Sequence, residues 1–330
     1  MSDPARNRAL AFVALLAATS AGLTAQSTLL YFELQAVAAY STAEREIQFF
    51  SLMAGDAMQK PSVGFDLVKR FSGKTRDIGV LAVQARVAYD GAGGMPLEPQ
   101  LYNAYFRLKT KPADLWIGHN RPALGLASVL DSHALLLPAP PMLGFGFDRD
   151  WGFGIARDTA WGGLAASLTA GSGMPLRLRG NYLAAARVFK GVLSRDNHSL
   201  GLSLAHGNVF MAMGYGTALS DPVDWTVGGL DATYLWRNLE HRAEVLVGRR
   251  GGALTALAFY RAGLALLEEG RLKFELQPAL WRQEGAWNHA LGGGLTYLFN
   301  ADLAGRFMVF RDSSRGGARF VFQLYYYKGV

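Results

Sequence analysis

Polar and apolar residues alternate one by one along much of this chain. Between Arg271 and Gln283, Leu272, Phe274, Leu276, Pro278 and Leu280 alternate with Arg271, Lys273, Glu275, Gln277 and Gln283. Successive side chains of a strand point to opposite faces, so the segment presents one apolar and one charged face. The same period returns where Ala82, Gln84 and Arg86 alternate with Leu81, Val83, Ala85 and Val87. It returns again where Asn103, Tyr105, Arg107 and Lys109 alternate with Tyr102, Ala104, Phe106 and Leu108. A soluble sandwich would alternate in the same way, and the pattern by itself leaves open which face meets solvent.

Turn signals divide the chain into strands near 28–41, 62–71, 77–90, 98–109, 112–120, 149–158, 161–172 and 181–193, then 196–207, 223–236, 239–250, 253–266, 271–283, 286–298, 301–312 and 317–328. That is about sixteen, an even number as single-chain bacterial barrels require. Short turns, such as Ser72–Arg76, Thr110–Lys111 and Arg237–Asn238, interleave with mostly longer connectors, among them 42–61, 121–148 and 208–222. The last strand places Phe320, Phe322, Leu324 and Tyr326 on one face, with Tyr325, Tyr326 and Tyr327 expected in an aromatic girdle.

Composition narrows the choice between the two kinds of all-β protein. The 330 residues are 50% hydrophobic and include 39 glycines and no cysteine. Zinc ribbons, iron–sulfur ligation, CxxC redox pairs and cysteine nucleophiles are thereby excluded. Arg6 and Arg8 precede the apolar run Ala9–Ala18 and a small-residue stretch, which reads as a signal peptide over residues 1–25, with 26–330 as one domain. No later segment is an uncharged apolar span of helical length. The expected fold is all-β, a transmembrane antiparallel up-and-down β-barrel in the bacterial outer membrane with a long inward-folded loop.

With the apolar face in lipid, the other face lines the lumen. Charged residues on the lipid face would cost about 2–4 kcal/mol each at the bilayer midplane. The expected lumen-lining residues are Arg70, Arg86, Arg107, Lys109, Arg242, Glu244, Lys273, Glu275, Arg306 and Arg319. Sixteen strands enclose more space than their own side chains fill, which implies a water-filled channel for small hydrophilic solutes. The formal charge of +7 and the basic excess among inward residues predict a mild preference for anions. The alternative is that these charges pair into ladders that stiffen the wall. The basic residues form no clustered patch, and nucleic acid is not an expected partner.

The connector 121–148 is too long for an idle turn and carries Leu135, Leu136, Leu137, Pro138, Pro140, Pro141, Met142, Leu143, Phe145 and Phe147, which need a surface to pack against. Gly118, His119, Asn120, Arg121, Pro122, Ala123, Leu124 and Gly125 precede it, and Phe147, Asp148, Arg149, Asp150 and Trp151 follow. This arrangement resembles the bacterial general porins and the phosphate-selective porin O/P type. There, a strand ending in glycine leads through a basic, proline-containing, glycine-closed segment into a loop that folds inward as the constriction. The resemblance implies a constriction drawn from Arg121, Asp131, His133, Asp148, Arg149 and Asp150, and a homotrimer in outer-membrane lipid. The alternative for Asp148, Arg149 and Asp150 is mutual pairing that anchors the loop. That family's lysine-rich ladder has no counterpart here, so phosphate selectivity is not implied.

Catalysis is not expected. Asp131, Ser132 and His133 are adjacent in sequence, which does not place a base and an orienting acid around a nucleophile, and no G-x-S-x-G elbow occurs. The histidines lack metal-ligand spacing, and no cofactor is expected. A rival of a different class is a barrel that sheaths a periplasmic or lumenal protein partner, such as a multihaem cytochrome or an export component. No CxxCH occurs, so any haem would come from that partner.

Overall fold

The computed structural model describes residues 25–48, 60–89, 97–130, 136–210, 212–213, 216–217, 221–313 and 316–330. Their spanning strands are β1 (Ala25–Ser41), β2 (Ser62–Ser72), β3 (Asp77–Tyr89), β4 (Leu97–Lys109), β5 (Asp114–Asn120), β6 (Asp150–Thr159), β7 (Gly162–Thr169) and β8 (Tyr182–Lys190). They continue as β9 (His198–Val209), β10 (Val223–Trp236), β11 (Leu239–Arg250), β12 (Ala253–Leu266), β13 (Leu272–Gln283), β14 (Ala286–Leu298), β15 (Leu303–Asp312) and β16 (Arg319–Gly329). Each pairs antiparallel with its neighbour in sequence, and β1 pairs both with β2 and, from Tyr31 to Ser41, with β16. The sheet therefore closes. A short strand, Glu46–Gln48, folds back on the end of β1.

Closure answers the question that alternation left open. On β13, Phe274, Leu276 and Leu280 face outward and are exposed, while Gln277, Ala279 and Trp281 are buried inside. On β1, Phe32 is 51% exposed and its neighbour Glu33 only 2%. A closed sheet leaves no unpaired edge, which lets a wall that is apolar outside and polar inside stand in a bilayer.

The connectors at one end of the barrel are all short, and the long connectors all lie at the other end. Two connectors at that second end are also tight, the pairs 251–252 and 284–285, whose Gly251, Gly252 and Gly285 have φ of 55°, 81° and 83°.

Two assignments of faces differ from the alternation. Tyr102 was expected on the lipid side with Ala104 and Phe106. A register shift between Gln84 and Ala85 leaves it without a partner on β3, and the bulge turns it inward to 1% exposure against Met174 and Met142. Tyr325 and Tyr327 were expected in the outer girdle beside Tyr326. Strand parity points them inward, where Tyr327 stacks on Tyr31 at 4.7 Å and its hydroxyl donates to Asp66 at 2.9 Å.

Candidate functional site in the barrel lumen

The inner wall changes character at one level. On β11, Glu240, Arg242 and Glu244 are followed inward by Leu246; on β13, Lys273, Glu275 and Gln277 give way to Ala279 and Trp281. On β12, Arg261 precedes Phe259 and Leu257 toward the long-connector end, and on β16, Gln323 precedes Val321. A lumen polar throughout was expected. The end with the short turns is polar, whereas toward the long connectors the wall from β8 round to β1 is largely apolar and belongs to one buried cluster.

The described residues of the loop, 121–130 and 136–149, cover that apolar wall. Leu124, Leu126, Leu136, Leu137, Leu143, Phe145 and Phe147 join the same cluster as Trp225, Leu246, Phe259, Trp281 and Phe310 of the strands. A chain inside a barrel must also satisfy its backbone polar groups. The outgoing limb presents N–H groups: Ala123 donates to Ser167 Oγ at 3.0 Å, Gly125 to Ser203 Oγ at 3.0 Å and Leu126 to Glu244 Oε1 at 3.1 Å. The returning limb, stiffened by Pro138, Pro140 and Pro141, presents carbonyls. Arg261 Nη2 donates to Leu137 O at 2.9 Å, Gln277 Nε2 to Pro138 O at 2.8 Å, Gln283 Nε2 to Leu143 O at 3.1 Å and Arg250 Nη2 to Gly144 O at 2.6 Å. Acceptors on the wall thus meet one limb and donors the other, at the level where the wall turns from polar to apolar and above it.

Two glycines make this course possible. At Gly118, φ is 124° and a Cβ would lie 2.2 Å from the Ala104 carbonyl. At Gly125, φ is 50° and a Cβ would lie 1.5 Å from the Glu244 carboxylate. Both positions need a backbone that other residues rarely adopt, pressed against the wall.

The base of the loop holds several of the constriction candidates. Arg149 is 1% exposed, pairs with Asp148 at 3.0 Å, donates to Asn103 Oδ1 at 2.8 Å and lies over the Tyr102 ring at 5.1 Å. Asp150 is fully buried and accepts from the N–H groups of Gly171 at 2.6 Å and Gly173 at 3.1 Å, tying the connector between β7 and β8 to the loop's end. These side chains anchor structure rather than meet water. Arg121 is half-buried at the loop's start. Asp131, Ser132 and His133 lie outside the described residues.

Every lumen-lining candidate lies on the inner face, but they divide by environment. Arg86 is 4% exposed against Glu33 at 3.5 Å, and Glu244 is 2% exposed against the loop. Lys273 bridges Glu240 at 2.9 Å and Glu275 at 3.3 Å, Arg242 pairs with Glu240, and Lys109 reaches Asp77 at 3.5 Å. Arg319 is half-buried near the long-connector end. Arg70, Arg107 and Arg306 make no ion pair with the described residues; Arg107 lies over Tyr105 at 5.6 Å and Arg306 over Tyr325 at 4.6 Å.

Sequence reasoning missed Ser167, Ser203, Arg250 and Arg261, which hold the loop, and Arg187, which pairs with the buried Asp231 at 2.6 Å. Their inward parity was readable; their partners, more than 40 residues away in sequence for every loop contact, were not.

No protein-family model matches the chain, and no curated protein matches it in sequence. Solved structures do match its fold. OmpF of Salmonella typhi, in a complex with daunomycin, shares 13% identity at a TM-score of 0.65, covering 91% of this chain and 97% of that one. The trimer form of OmpT, an outer membrane protein of Vibrio cholerae, shares 11% identity at a TM-score of 0.64, covering 92% and 100%. An anion-selective porin from Comamonas acidovorans shares 12% identity at a TM-score of 0.60, covering 93% and 100%. The chain has the fold of the porins.

Proposed function

We propose that this protein is a passive channel of the bacterial outer membrane for small hydrophilic solutes, narrowed by a loop fixed inside its barrel. One observation carries this: a closed sixteen-strand wall, apolar outside, whose charged short-turn half opens below a loop pinned by at least seven wall-to-backbone hydrogen bonds. Residues 1–25 act as the export signal, the short turns face the periplasm, and three copies assemble as in the trimeric OmpT form.

The loop narrows rather than gates. Its apolar side chains are buried in the wall cluster and its backbone is bonded on both limbs, so releasing it would expose both at once. A barrel sheathing another protein needs the space that this loop takes up, which favours solute over a threaded partner. Ion selectivity is weak, because many inward charges are paired, Arg86 with Glu33, Arg242 and Lys273 with Glu240 and Arg187 with Asp231, while Arg70, Arg107 and Arg306 near the short turns make no ion pair with the described residues.

Purified protein in planar bilayers is expected to give stable single-channel steps with a linear current–voltage relation. A protein that inserts yet carries no current in chloride would defeat the channel assignment.

A further inference from the structure

On the outside of the barrel, at its long-connector end, β14 and β15 border a groove of about 560 Å³ lined by His289, Leu291, Arg311, Ser313 and Gly316. Arg311 lies across the strand pair from Leu291, and the His289 N–H donates to Ser313 Oγ at 2.9 Å, so His289 and Arg311 are diagonal neighbours on one face. Diagonal neighbours stand about 7–8 Å apart, within reach of the same small group. His289, Arg311 and Ser313 are exposed, and neither the His289 ring nor the Arg311 guanidinium has a hydrogen bond or ion pair to the described residues. Ser313 Oγ keeps its own hydrogen to donate. Asp312, also at the groove's edge, lies across from the buried Ala290, and by strand alternation points to the inner face.

Below the groove the outer wall is apolar. Leu291 is 56% exposed, Leu280 beside His289 on β13 is 44% and Phe307 farther down β15 is 39%. Among the described residues no acidic side chain faces outward on β14 or β15. Basic donors over bare apolar wall suit an amphiphile with an anionic head. A guanidinium, an imidazole and a hydroxyl on one groove match a group with three acceptor oxygens and nearly two negative charges, which describes a phosphate monoester. At about 30 Å³ of liquid volume per water, the groove equals roughly eighteen to nineteen waters, room for a headgroup rather than a single ion.

We propose that this groove seats the phosphate-monoester head of an outer-leaflet lipid, with Arg311, the Ser313 hydroxyl and the His289 ring donating to its oxygens and the acyl chain lying over Leu291 and Phe307. The proposal rests on the membrane placement above, with the long connectors outward, and goes beyond the channel in giving the outer wall a ligand.

Native mass spectrometry of the full-length protein in uncharged detergent tests it, with phosphatidic acid as the phosphate-monoester probe and phosphatidylglycerol and phosphatidylcholine of the same chains for comparison. One phosphatidic acid per protomer is expected to bind saturably, about three- to tenfold tighter than the singly charged phosphatidylglycerol and tighter still than phosphatidylcholine. Arg311→Gln is expected to weaken phosphatidic acid binding by about tenfold, the share of one hydrogen bond to a charged group, and His289→Leu by about threefold. Arg249→Gln, at an exposed base on β11 outside the groove, is expected to leave it unchanged. No preference among the three lipids overturns the site, and so does an equal loss in Arg249→Gln and Arg311→Gln, which would mean diffuse attraction to a basic rim. Displacement of the lipid by an equal concentration of inorganic phosphate would make it a site for the free ion and overturns the lipid. On intact cells, Ser313→Cys is expected to react with a membrane-impermeant maleimide; reaction only after the outer membrane is opened would overturn the outer-leaflet assignment. Conductance separates this site from the channel: current without lipid preference sinks the site alone, and lipid preference without current sinks the channel alone.

Discussion

Gly125 is where loop and wall have least freedom to adjust independently. Its N–H is committed to Ser203, its φ of 50° suits few residues other than glycine, and a Cβ there would fall on the Glu244 carboxylate that holds Leu126. In Gly125→Ala the alanine must displace Glu244 or shift the loop, and either change unpairs buried groups. The expected loss of stability is about 1–3 kcal/mol, read as a lower unfolding temperature in detergent. Conductance should rise as the displaced loop leaves a wider passage. Wild-type values of both quantities would mean that the loop is not held at this point. Gly125 was already visible in the sequence as the closing glycine of the segment from Gly118. Glu244 was visible only as an inward charge, because its partner Leu126 is distant in the chain and offers a backbone group, which carries no side-chain signature.

At the scale of the strand, the two-residue period was enough to place nearly all of the barrel. Each expected strand lies within a few residues of an observed one, because lipid outside and a filled or wet interior impose opposite demands on alternate positions. The period fails where geometry rather than polarity decides. Tyr102 turns inward at a bulge that alternation cannot register, and Tyr325 and Tyr327 follow strand parity although aromatic residues also suit the membrane interface. The apolar half of the inner wall was obscured for a related reason. Leu257 and Phe259 on β12 face inward between outward Ala256, Ala258 and Tyr260, so both faces read as apolar and the strand gives little contrast. The absence of cysteine allows a direct test on β13. Cysteines introduced one at a time at Lys273, Phe274, Glu275 and Leu276 are expected to alternate in proteoliposomes. Positions 273 and 275 should react with a membrane-impermeant maleimide, and 274 and 276 only with a lipid-soluble one. Uniform labelling along the four positions would contradict the assigned faces.

For the whole molecule, the inner wall divides the work between two tiers. The apolar tier fixes the loop; in the proposed channel the loop takes cross-section from the pore and the polar tier keeps the remaining passage wet. The net charge of +7 overstates what a permeating ion meets there. Arg187 is neutralised by Asp231, Lys273 and Arg242 share Glu240, and Arg86 faces Glu33, so these pairs contribute mostly stiffness. Arg70, Arg107 and Arg306 carry the positive excess on the tier with the short turns, with Asp114 and Asp158 also on its inner face. Charges in water contribute well under 1 kcal/mol each to an ion's passage, which sets the expected chloride-over-potassium preference at about two- to threefold at 0.1 M salt. Screening shortens from about 10 Å at that concentration to about 3 Å at 1 M, so the preference should shrink toward unity in concentrated salt. The triple variant Arg70→Gln, Arg107→Gln, Arg306→Gln should abolish it at both concentrations. Reversal potentials across a salt gradient measure each quantity. A preference for potassium in the wild type, or a chloride preference that survives the triple change, would place the selecting charges elsewhere, and the half-buried arginines at the mouth of the loop would be the next to examine.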